Sequence, residues 1–309
     1  MPLDPDVARL LEQLRALDAP PLGAGTADEA RRAYDAAPKP APEPVARVRD
    51  AVIPGPAGDV AVRCYAPTED DDLPVVAFFH GGGWVLSGLD GHDSLARRLA
   101  LRSGALVVSV DYRLAPEHPF PAPHDDCWAA TAWLAEHADR LAGDGARLAV
   151  AGDSAGGNLA AGVALRARDE GLPLAFQLLV YPCLDDRPTR PSTVDNATGY
   201  FLTSEDMAWF WSRFLPDERR DDPYAVPMRA ADVSGLAPAL VQTAEFDPLR
   251  DEGEEWARRL ADAGVDVTLS RHDGMIHGFV SRWEQIPAAE RAHDEAGDAL
   301  RAALGVDGR

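Results

Sequence analysis

Leu148-Ala149-Val150-Ala151 runs without a break into Gly152-Asp153-Ser154-Ala155-Gly156-Gly157, and helical spacing begins near Asn158. An apolar run, a serine with glycines two before and two after it, then a helix: this order describes a strained strand-to-helix turn. Such a turn exposes the serine Oγ above the end of a sheet. The helix that follows aims the positive end of its dipole at the turn and favours negative charge developing there. A Gly-x-Ser-x-Gly pattern alone is weak and suits a buried turn equally well. The strand before it, the helix after it and the third glycine, Gly157, favour the exposed serine.

Working outward, the continuous apolar runs Val75–Phe79 and Leu106–Val110 read as strands covered on both faces. Val60, Val62 and Cys64 alternate as in a half-buried strand, and Phe176–Tyr181, Ala239–Thr243 and Val265–Leu269 supply further strands. Helical patterns lie at about His92–Arg102, Asp125–Leu141, Leu159–Asp169, Glu252–Ala263 and Ala288–Leu304. Strand–helix alternation of this length implies a mainly parallel sheet with helices on both faces. Two regions stand apart. Residues 1–45 carry helical spacing at Val7–Leu17 and Ala27–Ala36, then an extended proline stretch at Pro38, Pro40, Pro42 and Pro44. More than fifty residues separate Tyr181 from Ala239. They hold a turn-rich piece (Asp185–Thr198) and an aromatic helix pattern with Phe201, Trp209, Phe210, Trp211 and Phe214, and an insertion of that length reads as a lid.

Composition removes several classes of function. The 309 residues are 46% hydrophobic, so wholesale disorder is excluded. Thirty basic against 51 acidic residues, net −21, argue against nucleic acid and against docking on anionic membranes. Cys64, Cys127 and Cys183 are distant from one another and form no CxxC pair, which points to three reduced thiols. No secretory signal is visible at Met1–Leu10 and no run of 18 apolar residues occurs, so a cytoplasmic protein without stable membrane association is expected.

His80-Gly81-Gly82-Gly83-Trp84 directly follows the strand Val75–Phe79. Three consecutive glycines free the backbone to point N–H groups into a cavity, which is what stabilising a tetrahedral oxyanion requires. A flexible hinge is the plainer reading, and a phosphate loop is rejected because no Lys-Ser/Thr follows. A catalytic serine needs a base and a carboxylate to orient that base. In the chain order serine, acid, histidine, only His272, His277 and His293 follow Ser154. His293 falls in the last helical pattern and reads as a surface residue, and His272 as an ordinary loop residue. His277, in the glycine-flanked Gly274-Met275-Ile276-His277-Gly278-Phe279, is favoured as base. Asp247 follows the strand Ala239–Thr243 in a loop where such sheets place their sites. Its plainer role is N-cap of a helix opened by Pro248. Glu245, Asp251 and Glu252 compete for the acid. His92, Asp93 and the cluster His124-Asp125-Asp126 read as solvated turn or cap residues, not metal ligands.

Six blocks together resemble the hormone-sensitive-lipase group of α/β-hydrolases, also called bacterial family IV esterases. They are His80–Trp84, Asp111-Tyr112-Arg113-Leu114-Ala115-Pro116-Glu117, Gly152–Gly157, Tyr181-Pro182, Asp247-Pro248-Leu249-Arg250-Asp251-Glu252-Gly253 and His277-Gly278-Phe279. The resemblance implies an α/β-hydrolase fold with a helical cap. Its catalytic domain would span 46–184 and 236–309, with the cap built from 1–45 and 185–235. It also implies Ser154 as nucleophile, His277 as base and Asp247 as acid, with the backbone N–H groups of Gly82, Gly83 and Ala155 as oxyanion donors. His80 would then be structural. Asp153 and the Asp247 block would place the chain in the Gly-Asp-Ser-Ala-Gly subgroup. The implied reaction is hydrolysis of short- to medium-chain acyl esters through an acyl-enzyme, with a small-molecule ester as substrate and neither metal nor organic cofactor. An amidase or acyltransferase using the same three residues is the near rival, and a non-catalytic ligand receptor the distant one. Trp84, Phe201 and Trp209 are candidates to line an acyl pocket, with packing of the lid as the alternative. A homodimer formed through an edge strand is expected by analogy.

Overall fold

A computed structural model describes residues 2–18 and 21–306. Positions 1, 19, 20 and 307–309, which the sequence reading assigns to the N-terminal cap segment and the end of the catalytic domain, lie outside the described residues. Eight strands form one sheet among the described residues: β1 (Arg47–Gly55), β2 (Gly58–Ala66), β3 (Leu73–Phe79), β4 (Leu106–Val110), β5 (Gly143–Asp153), β6 (Phe176–Val180), β7 (Ala239–Phe246) and β8 (Val267–Ile276). Their order is β1-β2-β4-β3-β5-β6-β7-β8. β2 runs antiparallel to β1 and β4, and every other pairing is parallel. The mostly parallel sheet read from the sequence is therefore present. β1 has no counterpart in that reading, because Ile53 is the only fully buried residue of this edge strand and no apolar run marks it.

The helices are α1 (Pro5–Ala16), α2 (Ala27–Ala36), α3 (Asp93–Ser103), α4 (Ala122–His137), α5 (Ala155–Glu170), α6 (Pro191–Asp195), α7 (Ser204–Phe214), α8 (Arg250–Asp262) and α9 (Glu290–Leu304). Successive residues of a strand face opposite sides of the sheet, and β3 shows the consequence. Val75, Ala77 and Phe79 join the core layer containing Cys127 and Leu134 of α4, Leu159 of α5 and Trp256 of α8. Val76 and Phe78 join the layer containing Leu99 of α3 and Leu300 of α9. Both faces are buried, which is why these strands read as unbroken apolar runs.

The cap is assembled from two distant segments. α2 is held by a capping box, Thr26 with Glu29, and α7 by another, Thr203 with Asp206. α7 turns Met207, Trp209, Phe210, Trp211 and Phe214 inward. α6 lies inside the segment read from the sequence as turn-rich. Phe201 precedes α7, at a φ of 76°, instead of riding on it. At the root of the insertion the buried Asp185 binds Arg190 at 2.8 Å and Arg229 at 2.7 Å, so charges removed from water are paired.

Several boundaries differ in ways that matter for the site. α5 starts at Ala155, directly after the serine, because glycines in its first turn permit close contact with β3. α8 starts at Arg250 with no side-chain cap. Asp247 is therefore not the N-cap residue; its Oδ1 accepts the Leu249 N–H, which leaves Oδ2 for another partner. β8 continues to Ile276, so His272 is a buried strand residue, not a loop residue. His293 is buried within α9, not on the surface: its Nε2 lies 2.9 Å from the Val280 carbonyl. His92, His124 and Asp126 are likewise buried, against the expectation of solvated caps. Cys64, Cys127 and Cys183 are free and buried. Among the described residues, no helix is long and apolar enough to cross a membrane.

Candidate active site

Phe79 pairs with Gly152 at the ends of the neighbouring parallel strands β3 and β5. The two glycine-rich turns that follow these strands therefore emerge side by side at the C-terminal edge of the sheet, where the crossovers change direction. Ser154 adopts φ 57° and ψ −118°, a strained backbone for a residue with a side chain. Its N–H donates to the Val180 carbonyl at 2.9 Å, which ties the turn to β6. A Cβ on Gly156 would lie 1.8 Å from the Phe79 carbonyl oxygen, so only glycine lets α5 begin this close to β3.

β7 and β8 lie further along the same edge. Asp247 follows β7 and His277 follows β8, adjacent in the sheet though 30 residues apart in the chain. His277 Nδ1 is 2.7 Å from Asp247 Oδ2, and His277 Nε2 is 2.9 Å from Ser154 Oγ across 123 residues of sequence. Asp247 is fully buried. Its Oδ1 accepts the Leu249 N–H at 2.9 Å, and its carbonyl accepts from Asn196 Nδ2 at 3.1 Å. Both carboxylate oxygens are thereby directed, one at the imidazole and one at the backbone. The Tyr181 ring packs 4.5 Å from the His277 ring and limits its rotation.

The competing groups are occupied elsewhere. Glu245 accepts the Gly274 N–H at 2.7 Å. Asp251 accepts the Ser192 N–H at 2.8 Å and so anchors the insertion. Glu252 accepts the Leu184 N–H at 2.6 Å, and burial pushes its carboxyl up to about 8. His272 stands 3.3 Å from the Glu295 carboxylate, with its pKa lowered by burial.

The loop after β3 turns sharply at Gly82 (φ 113°) and Gly83 (φ 60°), closed by Val85 and Leu86 N–H donating to the Gly82 carbonyl. Among the described residues no acceptor pairs with the N–H groups of Gly82, Gly83 or Ala155, so these three donors remain available. A Cβ on Gly83 would lie 2.1 Å from the Phe210 ring, so the cap helix α7 seats directly on this glycine. Gly81 N–H is bound by Asp153 Oδ1 at 3.0 Å, which fixes the loop to the residue beside Ser154. His80 stacks on Tyr112 at 4.3 Å, its carbonyl accepts the Tyr112 hydroxyl at 2.6 Å, and burial lowers its pKa to about 3. An imidazole this enclosed stays neutral and holds the loop.

Three further contacts were not anticipated from the sequence. Asn196 braces Asp247, and no local pattern signals it. Tyr181 lies in the Tyr181-Pro182 block, but its packing on His277 is a tertiary fact. His92 contacts Asp153 at 3.3 Å and Ser87 Oγ at 2.8 Å, forming a second serine–histidine–aspartate array behind the loop. Of the three pocket candidates, Trp84 is fully buried and stacks on Phe214 at 4.1 Å, and Trp209 is buried in an edge-on contact with Phe210. Phe201, 45% exposed, lies at the rim, with Cε1 3.4 Å from where a Cβ would stand on Gly278. Among the described residues no three His, Cys, Asp or Glu side chains are grouped so as to hold a metal ion.

Comparison with known proteins places this geometry in context. A family model described as the alpha/beta hydrolase fold matches residues 76–281. The chain is 48% identical over 252 residues to carboxylesterase NlhH of Mycobacterium tuberculosis, covering 80% of this chain and 79% of that protein. It is 36% identical over 305 residues to the ethyl acetate hydrolase of Pseudomonas putida, covering 94% and 96%. Among solved structures it is similar to a thermostable esterase from Pseudomonas putida, with a TM-score of 0.96, 40% identity and coverage of 99% of both chains.

Proposed function

The chain belongs to the alpha/beta-hydrolase family, in its hormone-sensitive-lipase-like branch, and is a carboxylic ester hydrolase; from that premise we propose that it cleaves short- to medium-chain acyl esters through Ser154, His277 and Asp247. The observation that carries this reading is the continuous array of Ser154 Oγ, His277 and Asp247 at 2.9 and 2.7 Å, beside three unpaired backbone N–H groups.

In this mechanism Ser154 Oγ attacks the ester carbonyl carbon while His277 Nε2 takes its proton. Asp247 stabilises the imidazolium and holds Nδ1 as the donor. Negative charge forming on the carbonyl oxygen is met by the N–H groups of Gly82, Gly83 and Ala155, which need no reorganisation because nothing else occupies them. Collapse of the tetrahedral intermediate breaks the bond to the alcohol oxygen, which takes the proton from His277. Water, deprotonated by the same imidazole, then releases the acid and restores Ser154.

The preference for short to medium acyl groups is supported by the cap. Phe210 sits on Gly83, and Trp84, Trp211 and Phe214 are packed against one another, not arranged as the walls of a long channel. The test is a p-nitrophenyl ester series from acetate to palmitate. Highest kcat/KM is expected within acetate to octanoate, with a fall of at least about tenfold at palmitate, since acyl carbons left without a pocket contribute no binding. A maximum at palmitate would refute the proposed length preference, and no hydrolysis of any member would refute the esterase chemistry.

A further inference from the structure

Arg282 ends the short helical turn Phe279–Arg282 that leads away from His277. Among the described residues it is the one half-buried arginine that forms no hydrogen bond or ion pair. The comparable Arg213 and Arg259 donate to backbone carbonyls, and the buried Arg98 pairs with Glu43 and Glu290. In a chain of net charge −21 a guanidinium without a carboxylate is conspicuous.

The surroundings explain why no internal acid satisfies it. Its carbon lies 4.7 Å from the Phe201 ring centroid, so one face of the cation rests on an aromatic surface at the rim of the site. The ionisable groups facing it are the phenols of Tyr34, from α2, and Tyr181, at the end of β6, with the cation Lys39 nearby. Tyr181 in turn packs on His277, and its hydroxyl is enclosed without a partner. None of the Arg282 nitrogens is among the fully enclosed unpartnered atoms, so they reach solvent in part, although burial lowers the guanidinium's pKa. A guanidinium stacked through its face keeps its in-plane donors free, the geometry that receives a carboxylate through two parallel hydrogen bonds.

We infer that Arg282 forms a subsite for a carboxylate on the alcohol half of the ester, making acyl esters of hydroxy acids a favoured substrate class. This rests on the serine mechanism proposed above. There the acyl oxygen points toward Gly82, Gly83 and Ala155, whereas the leaving oxygen faces His277 Nε2. Arg282 follows His277 in the chain, and its aromatic partner abuts Gly278; on these contacts we assign it to the leaving-group side. The negative field of the whole protein works against anionic substrates, and a local cation at the mouth is what reverses that for one orientation.

The test compares 4-acetoxybutanoate with 4-acetoxybutanamide, which share length and shape and differ in charge, with p-nitrophenyl acetate as a reference. In the wild type the carboxylate should exceed the carboxamide in kcat/KM by about tenfold or more, mainly through KM, the effect of one charge-assisted pair. In Arg282→Gln the ratio should fall to about one or below, and Arg282→Lys should restore part of it, because a point charge lacks the planar fork. Raising salt should shrink the wild-type ratio, since the subsite is partly open to solvent. A wild-type ratio near one with brisk hydrolysis of p-nitrophenyl acetate would overturn this inference alone. So would an unchanged ratio in the folded Gln variant, or an Arg282-dependent preference seen only for monoethyl succinate, whose carboxylate lies on the acyl half. A wild type inactive on p-nitrophenyl acetate would overturn the esterase reading and this inference with it.

Discussion

Two serine–histidine–aspartate arrays lie on either side of one peptide bond in this protein. Asp153 belongs to the array with His92 and Ser87, and Ser154 to the array with His277 and Asp247. Residue types are the same, yet the physical situations differ. His277 is held by a 2.7 Å contact to a carboxylate that is fully buried, and it addresses a serine on a strained turn beside free N–H donors. His92 sits 3.3 Å from a carboxylate whose Oδ1 is already accepting the Gly81 N–H. Ser87 shares the positive φ, at 75°, but its Oγ is crowded by Gly91, where a Cβ would lie 2.3 Å away. In the mechanism proposed above, the first array supplies the nucleophile and the charge stabilisation, and the second is expected to position the loop carrying the donors. A triad is thus defined by what surrounds the serine, not by the presence of its three side chains.

The sharpest way to break this contrast is to remove each serine. Ser154→Ala should lower kcat by at least about 10⁴-fold with the fold retained, while Ser87→Ala should cost at most about tenfold. Comparable losses in steady-state assays would erase the distinction. Next in size, Asp247→Asn should lower kcat by about 10³-fold, because the carboxamide no longer selects the tautomer that leaves Nε2 free. Asp251→Asn should act on thermal stability instead, costing about 1 kcal/mol through the Ser192 N–H contact at the insertion, with kcat nearly preserved. A reversed ranking would reassign the acid.

The smallest effect concerns pH. A protonated imidazole cannot accept the serine proton, so kcat/KM must fall on acidification. Burial holds His80 and His293 at about 3 and His124 at about 4, so all three are already neutral at about pH 5 and above and contribute no change there. None of these three therefore accounts for an acidic limb above that pH. His92→Gln should lower kcat by about tenfold by loosening the Asp153–Gly81 link, yet leave the limb in place. Its disappearance in that variant would make His92, not His277, the titrating base.

Much of the architecture was legible in the sequence because each layer leaves a periodic mark. β3, β4 and β5 are buried on both faces and read as apolar runs; α8 and α9 each show one apolar stripe. β1 was invisible because an edge strand facing solvent has no such pattern. The errors over His92, His124 and His293 share one cause: a polar residue carries no local sign of burial, which is imposed by elements far away in the chain. Trp84 shows the converse. Its type suggested either a pocket wall or packing, and the stack on Phe214 commits it to holding the cap on the core.

Local chemistry in the chain determined the turn at Ser154, the glycine loop after β3 and the order of strand and helix, because backbone preference and hydrophobic period act over a few residues. Tertiary structure alone decided which histidine reaches that serine, which carboxylate steadies it, and which arginine is left without a partner. Those outcomes depend on distances across a folded sheet and on exclusion of water, and neither quantity exists until distant segments have packed.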